Sequence, residues 1–199
     1  MKVDIFNTDK KYQIIYADPP WTYRVWSGKG KTAANHYRCM KKEEIFELPV
    51  SEIADDNCIL FLWVTFPCLK EGLQTIEKWG FCYKTCGFTW IKKNRKSEGL
   101  FWGLGYWTRA NAEICIIATK GKPKRESKSV HQVIFSRIEE HSKKPDETRD
   151  RIVKLCGDVP RIELFARQSA EGWDCWGLEA PDDKKTYNRY MMLNGKQIV

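Results

Sequence analysis

Two short segments, "YQIIYA" at residues 12–17 and "NCILFLWV" at 57–64, are apolar almost without interruption. That is the pattern of strands buried on both faces of a sheet covered by helices, so both are expected to be central. Between Pro67 and Gly80 the period changes: Leu69, Leu73, Ile76 and Trp79 fall on one stripe, which predicts a helix entered at a proline, ended at a glycine and closing a βαβ unit. "FCYKTCGFTWIK" (81–92) and "NAEICIIAT" (111–119) read as further strands. In "KPDETRDRIVKLCG", Pro145 stands at a helix start, Asp146 and Glu147 lie in the positive first turn, and Gly157 is the stop. "RIELFA" (161–166) and "WDCWGLE" (173–179) supply the last strands. Strands alternating with helices, with no internal repeat, predict an α/β layer fold. We expect one domain over residues 1–199, with its core at about 4–179 and a tail at 181–199.

Three stretches, 22–38, 92–108 and 121–131, lack either period and read as long surface loops. They carry Arg24, Lys29 and Lys31, then Lys92, Lys93, Arg95 and Lys96, then Lys122, Lys124, Arg125 and Lys128. Such residues serve equally as solvated charge or as phosphate contacts. The interleaved Tyr23, Trp26, Phe101, Trp102, Tyr106 and Trp107 favour the second role, because rings in a basic loop are what base stacking needs. Lys and Arg outnumber Asp and Glu by 34 to 26, a net +8 that suits a polyanion. Most of the eight cysteines lie in apolar stretches and read as reduced core thiols. Cys82 and Cys86 have no second pair or His at zinc-site spacing, so no metal is expected. The polar amino terminus and the lack of a membrane-length apolar run predict a cytoplasmic protein.

One stretch asks for chemistry. In "IIYADPPWTYR" an acid, two prolines and a tryptophan follow directly on a buried strand. Ligands of α/β sheets bind outside the carboxyl ends of the strands, where Asp18 emerges. Pro19 and Pro20 fix φ and remove two amide donors, so the local carbonyls are free to act as acceptors, and Trp21 offers a flat face beside them. Acceptors gripping both N–H bonds of an exocyclic amine pull its nitrogen toward tetrahedral geometry and return the lone pair for attack. The competing reading is a turn in which Asp18 only caps backbone amides.

Together with "RIELFAR" at 161–167, the Asp18-Pro19-Pro20-Trp21 motif resembles the DPPW-type adenine-N6 methyltransferases. These are related to the catalytic subunit of the eukaryotic mRNA adenosine methyltransferase and include bacterial and phage DNA members. The resemblance runs from about Asp4 to Glu179. It implies a Rossmann-like methyltransferase fold in circularly permuted, beta-class order, with the catalytic strand first, and S-adenosylmethionine as methyl donor. Carried over by position, Asp18 and the Pro19 and Pro20 carbonyl region hold the amine and Trp21 walls the base. Tyr23, Tyr37 in "HYRCM", and Arg109 and Glu113 in "WTRANAE" fall on the substrate side. On the cofactor side fall Asp4 and Ile5, Asp18 again, Ser142 and Lys144 around "KKPDE", Glu163 as the ribose acid, Phe165 and Arg167 after it, and Glu179. Two departures stand out: Leu178 replaces an amide of the family, and "QSAEG" after Arg167 leaves Ser169 and Ala170 without an inherited role.

The resemblance implies direct in-line transfer to N6 of adenine, with DNA as the expected substrate and RNA adenosine as the alternative. Cytosine N4 and a catalytically inactive nucleic-acid-binding subunit are further alternatives. On duplex DNA the target base must leave the stack, and the basic loops are expected to recover that cost. The chain shows no separate recognition domain, so sequence choice falls to those loops, a second copy of the chain, or an accessory subunit.

Overall fold

The computed structural model describes residues 1–22, 39–139 and 143–177. Tyr23, Tyr37, Ser142, Leu178, Glu179, the tail, and Arg24, Trp26, Lys29 and Lys31 therefore lie outside the described residues. In chain order the elements are β1 (Tyr12–Ala17), α1 (Lys42–Phe46), α2 (Val50–Ile53), β2 (Ala54–Val64), α3 (Leu69–Lys78), β3 (Cys82–Lys93), β4 (Ala112–Lys120), β5 (Val133–Arg137), α4 (Glu147–Cys156), β6 (Arg161–Leu164) and β7 (Asp174–Trp176). The strands form one sheet in the order β5-β3-β4-β2-β1-β6-β7. β4 runs against both β2 and β3, and the other pairings are parallel.

The α/β expectation and the central placing of β1 and β2 agree with this order. Strand periodicity explains the two cores: Ile15, Ala17, Leu60, Leu62 and Val64 face one side, packed with Ile45, Ile53, Ile76 and Trp79 from the α1–α3 region. Ile14, Tyr16, Phe61, Trp63 and Cys115 face the other side, against Ile152 and Cys156 of α4.

Several boundaries differ from expectation. β2 begins at Ala54, before its apolar run, because Ala54 pairs with Tyr12 ahead of a register shift. The strand from Arg161 ends at Leu164, since Phe165 takes a positive φ of 61° that no strand continues. Pro145 precedes α4 by one turn position, and its carbonyl accepts the Thr148 amide. β2-α3-β3 is not a simple βαβ unit, since β4 lies between the two strands. Lys92 and Lys93 belong to β3 rather than to a loop.

β4's direction sorts the connections. Ala17 pairs with Leu62, and Leu62 with Ile116, so the start of β4 and the end of β3 share the sheet edge from which Asp18 emerges. The connection 94–111 therefore lies at this carboxyl end. The connection 121–132 leaves from Lys120 at the opposite, amino end. At roughly 3.3 Å per strand residue, about 16 Å separates Gln13 from Asp18 along β1. Lys122, Lys124, Arg125 and Lys128 are thus at the opposite end of the sheet from Asp18, apart from the basic residues of the 94–111 connection.

All eight cysteines are free, and five of them are buried. Among the described residues no helix is long and apolar enough to cross a membrane, and no group of three or more His, Cys, Asp or Glu side chains converges as for a metal ion.

Candidate active site

Asp18 is the first residue past β1 and lies on the α4 face of the sheet, continuing the register of Ile14 and Tyr16. Its carboxylate accepts a hydrogen bond from Lys144 Nζ at 2.8 Å, with side chains 21% and 10% exposed. The carboxylate therefore stands at a partly open strand end. Lys144 also lies 3.3 Å from Glu113 Oε2, and Lys92 Nζ donates to Glu113 Oε1. Strands β1, β3 and β4 and the segment entering α4 thus contribute one chain of alternating charge, Asp18–Lys144–Glu113–Lys92.

Burial pushes the Glu113 carboxyl up, but the charges of Lys144 and Lys92 more than offset it and leave the group below the usual carboxylate range. Glu113 is therefore ionised and anchors Lys144 from behind. The ammonium also stands 5.7 Å from the centre of the Trp63 ring.

Trp63 fastens the floor. Its indole N–H donates to the Tyr16 hydroxyl at 2.7 Å, and its carbonyl accepts the Trp21 indole N–H at 2.9 Å. Burial, followed by the charge of Glu163, pushes the Tyr16 hydroxyl well up, so it stays protonated. Trp21 is only 6% exposed and packs in the α1–α3 core, so it walls the site from behind rather than offering an open face. The proline carbonyls are also engaged: Pro19 O accepts the Trp21 amide at 2.8 Å and Pro20 O the Met40 amide at 2.9 Å. Each keeps one lone pair. Asp18 is the charged acceptor of the motif.

On the neighbouring strand, Glu163 is 8% exposed and both its oxygens are bound by Arg149, at 2.7 and 2.9 Å. Burial raises this carboxyl, and the guanidinium opposes the rise. Four lone-pair sites minus two donors leave room for two hydroxyl groups. Beyond β6, the Phe165 ring meets Trp176 edge-on at 5.4 Å, and Phe6 does the same at 6.1 Å. Asp4 caps the amide of Phe6, Ile5 is buried, and Arg167 is half-buried in the turn after β6. Asp4, Ile5, Glu163, Phe165 and Arg167 are thus gathered near the carboxyl ends of β6 and β7, next to Asp18 across the β1–β6 pairing.

Of the expected substrate-side residues, Glu113 joins the charged chain, whereas Arg109 lies on the exposed connection 94–111, 5.7 Å from the centre of the Trp102 ring. Sequence reasoning missed Arg149 and Trp63. Arg149 carries one local signal, its position three residues after Asp146, with which it pairs at 2.6 Å. The role of Trp63 carries none, because its bonds join residues 42 and 47 positions away.

A seven-stranded α/β sheet with one reversed strand and a carboxylate-bearing Asp-Pro-Pro-Trp turn at a central strand end belongs to a methyltransferase-like domain. The MT-A70 family model matches residues 12–179, and the chain belongs to this family of methyltransferases. The chain is 36% identical over 197 residues to the type II methyltransferase M.MunI of Mycoplasma sp., covering 88% of this chain and 80% of that protein. It is 28% identical over 175 residues to an N(6)-adenosine-methyltransferase MT-A70-like protein of Arabidopsis thaliana, covering 86% of this chain and 24% of the relative. It is 28% identical over 159 residues to the human N(6)-adenosine-methyltransferase catalytic subunit METTL3, covering 79% of this chain and 26% of METTL3. The chain thus spans most of the bacterial relative and about a quarter of the eukaryotic ones.

Proposed function

We propose that this protein is a cytoplasmic DNA methyltransferase that transfers a methyl group from S-adenosylmethionine to N6 of adenine. The observation that carries the reading is the Asp18 carboxylate, held at the open end of β1 by an ammonium that Glu113 anchors in turn. Such a carboxylate can accept an N–H bond of an amine and leave the nitrogen lone pair free to react. Asp18 stays an acceptor throughout, since the methylated amine loses its proton readily to water. Similarity to M.MunI over 80% of its length favours DNA.

The residues fit the cofactor. Phe165 holds a left-handed φ of 61°, which costs a bulky residue about 1–3 kcal/mol and is typical of ligand clamps. Its ring, with Phe6 and Trp176, makes an apolar site for a purine. The free lone pairs of Glu163 suit ribose hydroxyls, Lys144 suits a carboxylate, and Ser142 and Glu179 are assigned to the same side by motif alone. When bound, the cofactor supplies an electrophilic methyl group on a sulfonium. The strand order, with the Asp18 strand first in the chain and the Glu163 strand sixth, supports the permuted arrangement.

A second reading, N6 methylation of RNA adenosine, draws support from the similarity to METTL3. Labelled cofactor supplied in parallel with duplex DNA, single-stranded DNA and RNA, followed by digestion to nucleosides, separates the two. We expect N6-methyladenine from DNA. Label appearing only in RNA selects the second reading, and no label in any substrate defeats both.

A further inference from the structure

A cavity of about 360 Å3 opens at the amino end of the sheet, away from Asp18. Its floor is apolar, formed by Ile14 of β1, Ile59 of β2, and Val159 and Cys156 beyond and at the end of α4. Burial, with a smaller push from Glu126, raises the Cys156 thiol to about 12, so the floor carries no charge. One wall is the start of the 121–132 connection, with Lys122, Pro123, Lys124 and Glu126.

This wall is built in place. At its start Gly121 takes a φ of +65°, and a Cβ there would stand 2.0 Å from the Asp56 carbonyl. The Lys122 amide then donates to Asn57 Oδ1 at 2.8 Å. At its far end the Glu126 amide donates to the Leu155 carbonyl at 2.8 Å. The Glu126 carboxylate lies against Gly157, where a Cβ would meet it at 2.6 Å. Between these two staples Lys122 and Lys124 border the cavity, and neither has an ion pair among the described residues.

The lining discriminates between ligand classes. It has no aromatic ring, so it lacks the means to stack a base. Two ammonium groups suit a phosphate. The side-chain amides of Gln13 and Asn57 and the single carboxylate of Glu126 suit hydroxyl groups, and the volume is that of a small-molecule site. We infer that this cavity is a second binding site, separate from the Asp18 site, for a phosphate monoester on a hydroxylated carbon skeleton of sugar-phosphate size. The same chemistry comes from a free sugar phosphate or from the 5′-phosphate end of a nucleic-acid strand. The inference does not depend on methyl transfer.

Calorimetric titration of the full chain with ribose 5-phosphate, which has no base to enter the Asp18 site, tests it. Saturable binding is expected, weakened at least tenfold by Lys122→Ala/Lys124→Ala and unchanged by Arg125→Ala, a neighbouring charge that does not border the cavity. The amide signals of Gly121 and Gly157 should move with the same saturation curve. A parallel titration with 5′-phosphorylated and 5′-hydroxyl oligonucleotides separates the sources. If the lysine pair matters only for the phosphorylated strand, the ligand is a strand end; if it matters for ribose 5-phosphate, the ligand is a free monoester. Absence of saturable binding in every arm, binding by the double variant equal to wild type in every arm, or inorganic phosphate binding as tightly as ribose 5-phosphate overturns the inference.

Discussion

The two ends of the sheet carry similar charge in different company. At the carboxyl end Trp102, Leu104, Tyr106 and Trp107 of the 94–111 connection are 74–91% exposed, beside Arg109 and a chain of four paired charges that ends at Asp18. At the amino end Lys122, Lys124, Arg125 and Lys128 accompany no Trp, Tyr or Phe in the 121–132 connection, whose one aromatic side chain is the small imidazole of His131. Exposed apolar surface on this scale marks an interaction site, and large rings beside cations suit unpaired bases, whereas cations without such rings suit an anionic group such as phosphate. Basic composition alone therefore does not locate a substrate; the neighbours of each charge do.

The sharpest way to break this contrast is Asp18→Ala. Methyl transfer should fall about 10²- to 10³-fold or more, the scale of losing one acceptor aimed at developing charge, while cofactor binding survives in part. Incorporation of labelled methyl, with folding checked by circular dichroism, decides it; near wild-type turnover ends the assignment. Next, Trp102→Ala/Trp107→Ala should lower kcat/KM on nucleic acid about 10- to 100-fold, since the stacking of one base is worth about 1–3 kcal/mol. Unaltered kcat/KM would remove the aromatic connection from substrate binding.

Glu113→Gln should cost about 1–3 kcal/mol of stability at neutral pH, by weakening charge-assisted bonds to Lys144 and Lys92. The Glu113 carboxyl is lowered in the folded state, so its contribution is complete above the unfolded value of about 4.3 and fades as pH falls through the folded one. Urea denaturation of both forms between pH 7 and 3 should show the difference narrowing at the acid end; a pH-independent difference would contradict the charge argument. The smallest effect is expected at the far end, where Arg125→Ala/Lys128→Ala should change kcat/KM less than about threefold at moderate salt. A large drop with a shallower salt dependence would bring this end into contact with the nucleic acid.

The central strands were legible because their apolar runs are long and buried on both sides, and α3 because Leu69, Ile76 and Trp79 mark its packed face, although Leu73, read into the same stripe, is exposed and Gly72 and Thr75 are buried in its stead. β5 was not, because Val133 and Phe135, 41% and 64% exposed, are as apolar as the buried Ile134 between them, so the alternation of burial leaves no alternation of residue type to read. α1 and α2, five and four residues long, are too short to show a helical period. Asp18 could be picked out from its place at the end of a buried strand. Its partner Lys144 was reached only through motif resemblance, since their contact spans 126 positions. The engagement of the Pro20 carbonyl depends on where Met40 returns after the 22–38 stretch, and nothing local encodes that.

Because β4 is antiparallel to both of its neighbours, the connection between Lys93 and Ala112 leaves and returns at the same end of the sheet, and its first half is tied down by the Lys93–Leu100 bridge and by Glu98, which pairs with Lys93 and with Arg137 of β5. Between Trp102 and Arg109 that connection can be lengthened, trimmed or exchanged for a relative's without disturbing strand register or the carboxylate at the end of β1, two strands beyond β4. A fold wired this way lets target preference drift by cassette replacement while the chemistry is inherited unchanged, and it offers protein engineers a single graft point for retargeting.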